Sequence, residues 1–583
     1  MSSNFGLIRV DDEGPEDASV VLIGEAPGSE EEKEGRPFVG PSGTKLETVL
    51  TRNGLPRSTV RLANLFHYRP KGNRFELLFG TTELQQSVLE LYDYLRAHKP
   101  TVVCTLGNWP TWFLTGKGKL HAKRKTAPIS GILNWRGSIL NCNVPGLETL
   151  KIIPTVHPAA ILRDATLYPT FDQDIKRVKA ESEFPELGLP ERKFIIAPKG
   201  AEMELWTDTL LKAERLTVDI ENVKDTTKLL CVGFAPSPEL GVCFEYNEHD
   251  AQLRDCLDRL LSSSIPKCFH FGSHDTEILR LNGYEVYNYA FDTFVSQHVM
   301  WPELPRSLAY LTSIHTREPY YKDEVKEEDS DTKAWSAMWA AKREKRQKLY
   351  SYNCKDVCTD FEIWLAHEKE LATGPKAWRQ FFDYEMSLLP AAHSIMQAGQ
   401  LVDQIRLQQI KHAVEQKLAE QQKGLNTLLG AKDVCNSHSC VCGRCVNVNS
   451  NKQISLILYE ALKLPKRTRR DKYGESKVTT EENALVSLIA VCKDKLDSLS
   501  RADAINEWKR KLLVVKLVVL IRGGRKMKSS YLDVRLSEDG RLRSRYKWGT
   551  ETGRWSAEKY CDGTGVNAQT FPRSGVDIEE EVA

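Results

Sequence analysis

The sequence has little that would carry it into or across a membrane. Its first residues, MSSNFGLIRVDDEG, hold no apolar core, which excludes reading them as a secretory signal. The longest apolar run, LLVVKLVVLI at 512–521, is too short to span a bilayer and contains Lys516, so it reads as a packed helix with no membrane partner. Net charge is only +2 over 583 residues, so no global basic field marks a nucleic-acid partner. Such a site has to come from local patches such as KGKLHAKRK (117–125), KREKRQK (342–348) and KRTRRDK (466–472). Internal repeats and low-complexity segments are missing. Fourteen cysteines without a signal segment argue for reduced thiols and a cytoplasmic setting. What remains is the composition of a globular protein, 41% hydrophobic and 27% charged, long enough for about three or four domains.

Three patterns divide the chain. Residues 1–190 alternate short apolar runs (SVVLIG, TVVCTLG, LKIIPTV) with helical stretches, which predicts an α/β layer fold. FPELGLPERK (184–193) has the proline and glycine of a linker. A second strand-rich start at RLTVDIEN opens a segment over 193–372. Over 375–583, from WRQFFDYEMSLLPAAHSIMQAG onward, amphipathic helices dominate, interrupted by a cysteine-rich insert at 435–445. The predicted class is therefore α/β multidomain.

In the first segment a strand runs into a Gly/Pro-rich turn, IGEAPGSEEEKEGRPFVGPSG (23–43), a geometry that brings backbone N–H groups to a ligand. With NLFHYRP (64–70) and PTVHPAAILR (154–163), this turn resembles the motifs of the family 4 uracil-DNA glycosylases. The resemblance implies a pocket for an extruded base. Phe38 would stack on the base, Asn64 would read the uracil edge, and His157 would donate to the developing oxyanion. Glu25 and Glu31 fall on the acidic, base-binding positions of the first motif, and Ala26 sits where other glycosylase families carry a water-activating Asp. Family members bind an iron–sulfur cluster through four cysteines. This chain has no Cys before Cys104, and His67 and Tyr68 stand near the family's Cys, so no cluster is expected. The domain is then either an active glycosylase or a retained DNA-binding module.

In the second segment TVDIEN places Asp219 and Glu221 on one face of a strand. HFGSHDTEILRLNGY (270–284) adds Asp275, and YSYNCKDVCTD (350–360) adds Tyr352 and Asp356 on one helix face. This series resembles the proofreading 3′→5′ exonuclease domain of family A DNA polymerases, which implies a ribonuclease H-like fold. It also implies two Mg²⁺ or Mn²⁺ held by Asp219, Glu221 and Asp356, with Asp275 completing the shell and Tyr352 orienting the attacking hydroxide. FDTFVSQHVMWPELPRSLAYL (291–311) looks like the same family's stretch between the second and third motifs, with Asp292 a structural carboxylate or one that supports the ligands from behind, and no ligand itself, while Phe271 replaces the family's usual Asn.

In the third segment VNSNKQISLILYEALKLP (448–465), GGRKMKSSYLDVRLSEDGRLRS (523–544) and GTETGRWS…GTGVNAQTFPRSG (549–575) resemble the thumb and early palm of family A polymerases, of phage type. A mainly helical thumb with an incomplete palm is implied. Lys528, Thr552, Arg554 and Gln569 would be DNA contacts, on a single-stranded 3′ end or a primer–template. The family's palm aspartates and fingers lysine do not follow, so the expected partner is a second polypeptide carrying the remaining palm and fingers. The host would be a bacterial cell. A truncated fragment or a non-catalytic DNA-binding scaffold is the alternative. Within the insert CNSHSCVCGRC, the spacing of Cys435, Cys440, Cys442 and Cys445 suits a tetrahedral Zn²⁺ site, with His438 as substitute for Cys440, or else free thiols.

Overall fold

The computed structural model of the protein describes residues 5–121, 129–325, 343–430, 446–470, 476–547, 549–550 and 552–571. The chain forms two compact units, Met1–His393 with Trp548–Trp555, and Ser394–Lys547 with Ser556–Ala583.

The first unit holds two sheets. One has five strands in the order Arg61–Asn64, Val20–Gly24, Val102–Leu106, Lys151–Thr155, Leu140–Asn141, parallel except for the last. Its three central strands are buried at every position and mostly apolar, as expected when helices cover both faces; the exceptions are Thr105, Lys151 and Thr155. Val21, Ile23, Val103 and Ile152 pack into one core, and Val20, Leu22, Val102 and Ile153 into the other. The second sheet has six strands in the order Lys193–Ile196, Leu240–Glu245, Leu229–Ser237, Leu216–Asn222, Lys267–Phe269, Tyr289–Asp292. Its middle strands are antiparallel and its last two join in parallel. The long helix Arg343–Thr373 lies across it, burying Leu349, Cys354 and Val357.

The segments expected as 1–190 and 193–372 therefore share one compact unit. A buried ion pair inside the first segment, Arg136 with Asp174, lies beside the junction. Asp174 also accepts from Thr155 (2.7 Å), while Arg136 reaches Ser313 Oγ (2.8 Å) on the far side. Arg177 donates to the carbonyls of Ser313 and Thr316. The boundary expected at 375 also moves. Most of the helix Lys376–Ala398 stays with the first unit, because Phe382 finds its partner in Phe291 (centroids 4.7 Å apart) and Trp378 in Trp301 (5.1 Å).

The second unit is mainly helical. Gln404–Leu428, Glu482–Asp497 and Ala502–Met527 pack around Leu425, Leu488, Val514 and Val518. The apolar run at 512–521 lies inside the last of these helices, as expected. No helix among the described residues is long and apolar enough to cross a membrane.

Candidate active sites

The first site lies where the five-stranded sheet ends. Gly24 and Asn64 are register partners, so the turn after Gly24 and the Asn64 side chain open on the same cavity of 560 Å³. Gly24 must lack a side chain there: a Cβ would meet Asn64 Oδ1 and Phe38 Cζ, each at 2.6 Å. Phe38 is held at φ +53°, a conformation costly for an aromatic residue. Arg57 fixes it by donating to the Phe38 carbonyl (3.0 Å), and Glu13 in turn pairs with Arg57 (2.7 Å). Phe38, Asn64 and His157 all line the cavity, with Glu25, Ala26 and Arg163.

Glu31 borders the same cavity, but its carboxylate accepts the backbone N–H groups of Gly28 (3.1 Å), Val39 (3.2 Å) and Gly40 (2.9 Å). It shapes the loop that presents Phe38 and has its oxygens turned to the backbone, where the sequence suggested a base contact. His157 caps the helix Pro158–Arg163, its Nδ1 accepting from Ala159 N–H at 3.1 Å. That bond places the ring proton on Nε2. Burial, and then the Arg163 guanidinium, push the His157 pKa down to about 4, so the ring is a neutral donor at pH 7. Burial, and then Glu76, push Glu25 up to about 7. Gly107, at φ +100°, separates the two: a Cβ there would lie 3.1 Å from Glu25 Oε1 and 3.3 Å from His157 Cβ.

Near the position where the resemblance has a cysteine, Tyr68 packs against Phe5 (5.6 Å) and Phe66 (5.6 Å), and His67 is tied to Ser87 (3.1 Å) and Asp12 (3.2 Å). These side chains make an aromatic and hydrogen-bonded packing unit.

The second site sits on the six-stranded sheet. Carboxylate oxygens of Asp219, Glu221 and Asp356 all come within 4.8 Å of one another. Asp275, expected as a fourth member, stands beside this trio, its Oδ1 accepting the N–H of Ile220 between the two strand acids (3.2 Å). Asn353 donates to Asp219 Oδ2 (2.8 Å). Burial, followed by Asp356 and its acidic neighbours, raises the Asp219 pKa far above the ordinary range. Burial and Asp356 likewise push Glu221 up to about 8. These shifts record negative charge crowded without enough compensation. An all-oxygen hard donor set of this kind suits Mg²⁺ or Mn²⁺.

Sequence reasoning missed two residues here. Tyr321 donates its hydroxyl to Asp356, and Lys322 Nζ donates both to Asp356 and to the Tyr352 hydroxyl (3.0 Å). Nothing in EPYYKDE marks them, because their role comes from where residues 316–324 are anchored. Asp292 is structural as expected: it caps the helix Thr293–Met300 and accepts from the N–H groups of Phe271 (3.2 Å) and Gly272 (3.1 Å). Phe271 packs on Phe294 (4.9 Å).

Of the expected duplex contacts, Thr552 and Arg554 are exposed in a turn closed by Arg554 N–H on Thr550 Oγ1 (2.9 Å). Lys528 pairs with Asp533 (2.7 Å) and Glu415 (3.3 Å), and Gln569 Oε1 accepts from Ala557 N–H (3.0 Å). Both are therefore engaged within the protein. Cys435, His438, Cys440, Cys442 and Cys445 lie outside the described residues.

Comparison with known proteins bears on the first site. The Uracil DNA glycosylase superfamily matches residues 12–180. A type-4 uracil-DNA glycosylase of Saccharolobus solfataricus is 31% identical over 180 residues, 30% of this chain and 76% of that protein. The Thermotoga maritima type-4 uracil-DNA glycosylase is 33% identical over 172 residues, 29% of this chain and 80% of that protein. Among solved structures, the POL domain of Pol1 from M. smegmatis, in complex with DNA primer-template and dNTP, matches with a TM-score of 0.44 and 16% identity. That match covers 67% of this chain and 57% of the solved one. Through residues 12–180, the chain belongs to the uracil-DNA glycosylase superfamily.

Proposed function

We propose that the chain is a DNA-processing enzyme in which a uracil-excising domain is fused to a 3′→5′ exonuclease and to the thumb and early palm of a family A DNA polymerase, serving replication in a phage-type system. The observation that carries the nuclease part is the trio of half-buried Asp219 and Glu221 and buried Asp356, with too little positive charge around it. Bound Mg²⁺ or Mn²⁺ would supply an activated water and neutralise charge on the scissile phosphate and the departing 3′ oxygen. Asp219, Glu221 and Asp356 hold the cations, Asn353 fixes the Asp219 carboxylate, and Asp275 braces the strand between the two acids. Tyr352, whose hydroxyl accepts from Lys322 Nζ (3.0 Å), would orient the attacking water. The sheet order, with three parallel strands added at the edges of a three-stranded antiparallel core, is compatible with the ribonuclease H-like architecture that the motifs imply.

In the first domain Phe38 stacks on the extruded base and Asn64 reads its edge. The Nε2–H of His157 meets the carbonyl oxygen on which charge collects as the glycosidic bond breaks. A neutral imidazole suits this role, since it donates without carrying a buried charge of its own. In the third segment the exposed Thr552 and Arg554 are read as contacts to a phosphate backbone, as the resemblance implies. The cysteine spacing at 435–445 is proposed as a Zn²⁺ site.

The test is a 3′-labelled single strand incubated with the protein and Mn²⁺. Stepwise loss of the label, lost again on chelation, is expected. A label that stays intact would overturn the nuclease assignment.

A further inference from the structure

Residues 313–324 run from the exonuclease fold across the glycosylase-superfamily domain and back, and they are tied down at nearly every step. Arg136 and Arg177 hold Ser313 and Thr316. Arg317 reaches Glu181 and the carbonyls of Leu187 (2.6 Å) and Gly188 (2.8 Å). Tyr320 donates its N–H to Ser138 Oγ (3.1 Å), and its ring meets that of Trp135 edge-on at 5.2 Å. The next two residues turn back into the carboxylate site, where Tyr321 and Lys322 both contact Asp356. Among the described residues, Lys322 is the cation in contact with this trio, and it also holds the Tyr352 hydroxyl (3.0 Å).

Taking the nuclease assignment above as given, we infer that Lys322 is a resident cation of the carboxylate site, placed there by a strap whose anchor is the glycosylase-superfamily domain. The physical reason is charge. Three acids crowd within 4.8 Å, and one ammonium offsets only part of their repulsion. Divalent metal and Lys322 then compete for the same Asp356 oxygen, so loading the site means moving the ammonium off it. The N-terminal domain acquires a second task that needs none of its base-pocket residues. It braces the strap, and thereby sets how strongly the neighbouring site holds metal. Lys322 and the strap residues are positioning residues and take no part in bond making.

The experiment reads Mn²⁺ binding by the disappearance of the free-ion electron paramagnetic resonance signal, with the full chain and no DNA. Lys322→Met is expected to tighten Mn²⁺ binding roughly tenfold, because a competing cation is gone. Lys322→Arg keeps the charge and is expected to bind near wild-type affinity, which separates charge from packing. The double variant Trp135→Ala, Ser138→Ala removes the two anchors of Tyr320, next to Lys322, and is expected to move affinity in the same direction as Lys322→Met, while Asn64→Ala leaves it unchanged. Unchanged or weaker binding by Lys322→Met overturns the role of Lys322. Unchanged binding by the double variant overturns the role of the N-terminal anchor. A wild-type protein that binds no Mn²⁺ at all gives a different signature and removes the nuclease assignment itself.

Discussion

The two sites of the first unit solve opposite electrostatic problems with the same residue types. In the cavity at the end of the five-stranded sheet the acids and the histidine are held quiet: Glu31 is satisfied by three backbone N–H groups, Glu25 is pushed up to about 7, and His157 is held neutral. On the six-stranded sheet the charges are left exposed to one another, with Lys322 in contact with Asp356 alone among the described acids. A site for a neutral base profits from fixed dipoles that are already in place when charge develops. A site for metal ions profits from an unsatisfied negative potential that only cations relieve. The contrast assigns different sensitivities to the two halves, and each can be tested separately.

The largest effect should come from the carboxylates. Asp219→Ala is expected to reduce 3′-end degradation to background, because it removes a metal-holding oxygen and the partner of Asn353. Uracil excision should be untouched in the same preparation. Loss of both activities together would mean that the two sites are not separable, and the comparison would fail.

A smaller loss is expected in the base cavity. Removal of a single oxyanion donor typically costs about 10²–10³-fold in rate, so His157→Ala should slow excision by about that factor, and Asn64→Ala, which removes the reader of the base edge, should lower it as well. The readout is alkaline cleavage of uracil-containing single strands, measured in the Asp219→Ala background so that the product survives. Excision that is absent even from the parent protein would leave the domain as a DNA-binding module and brace.

How much of this was legible beforehand depends on how far each residue's partner lies along the chain. Asp219 and Glu221 could be placed by strand periodicity, and Tyr352 with Asp356 by helical spacing, since both pairs are local. Phe38, Asn64 and His157 followed from three motifs that all sit at strand ends. The role of Glu31 was misjudged, because a carboxylate turned onto backbone N–H groups looks identical in sequence to one turned toward a ligand. Tyr321 and Lys322 were invisible, since their meaning depends on Ser138 and Arg317 contacts across the domain junction. For the same reason a linker composition at 184–193 suggested separate bodies, whereas the Arg136–Ser313 hydrogen bond and the Arg317–Glu181 ion pair cross between them.

That junction gives the third test. Arg136 and Asp174 form a fully buried pair, and breaking such a pair by removing one partner costs about 3–5 kcal/mol. Asp174→Ala is therefore expected to lower the thermal midpoint of the first unit markedly, with both activities lost in one transition. Two well-separated transitions in the variant, one per sheet, would show that the junction had been joining independently stable parts.

The smallest and finest test is pH. Glu25, with its pKa pushed up to about 7, is half ionised at neutrality and mostly protonated one unit lower. If its carboxylate supports the positive charge that gathers on the sugar as the base departs, excision should rise with pH through about 7 and level off above it. Below that point the rate should fall about tenfold per unit, following the ionised fraction. His157, pushed down to about 4, adds no step in this range. Glu25→Gln should thus give a slower but flat profile from pH 5 to 8. The same shift acts on stability: the folded state keeps a proton that the unfolded chain gives up from its ordinary value of 4.5 upward, so stability falls as pH rises from there to about 7. Glu25→Gln should remove that slope as well. A wild-type excision rate that stays level across pH 5 to 8, with the stability slope still present, would show that the Glu25 charge is a cost of burial with no part in the reaction.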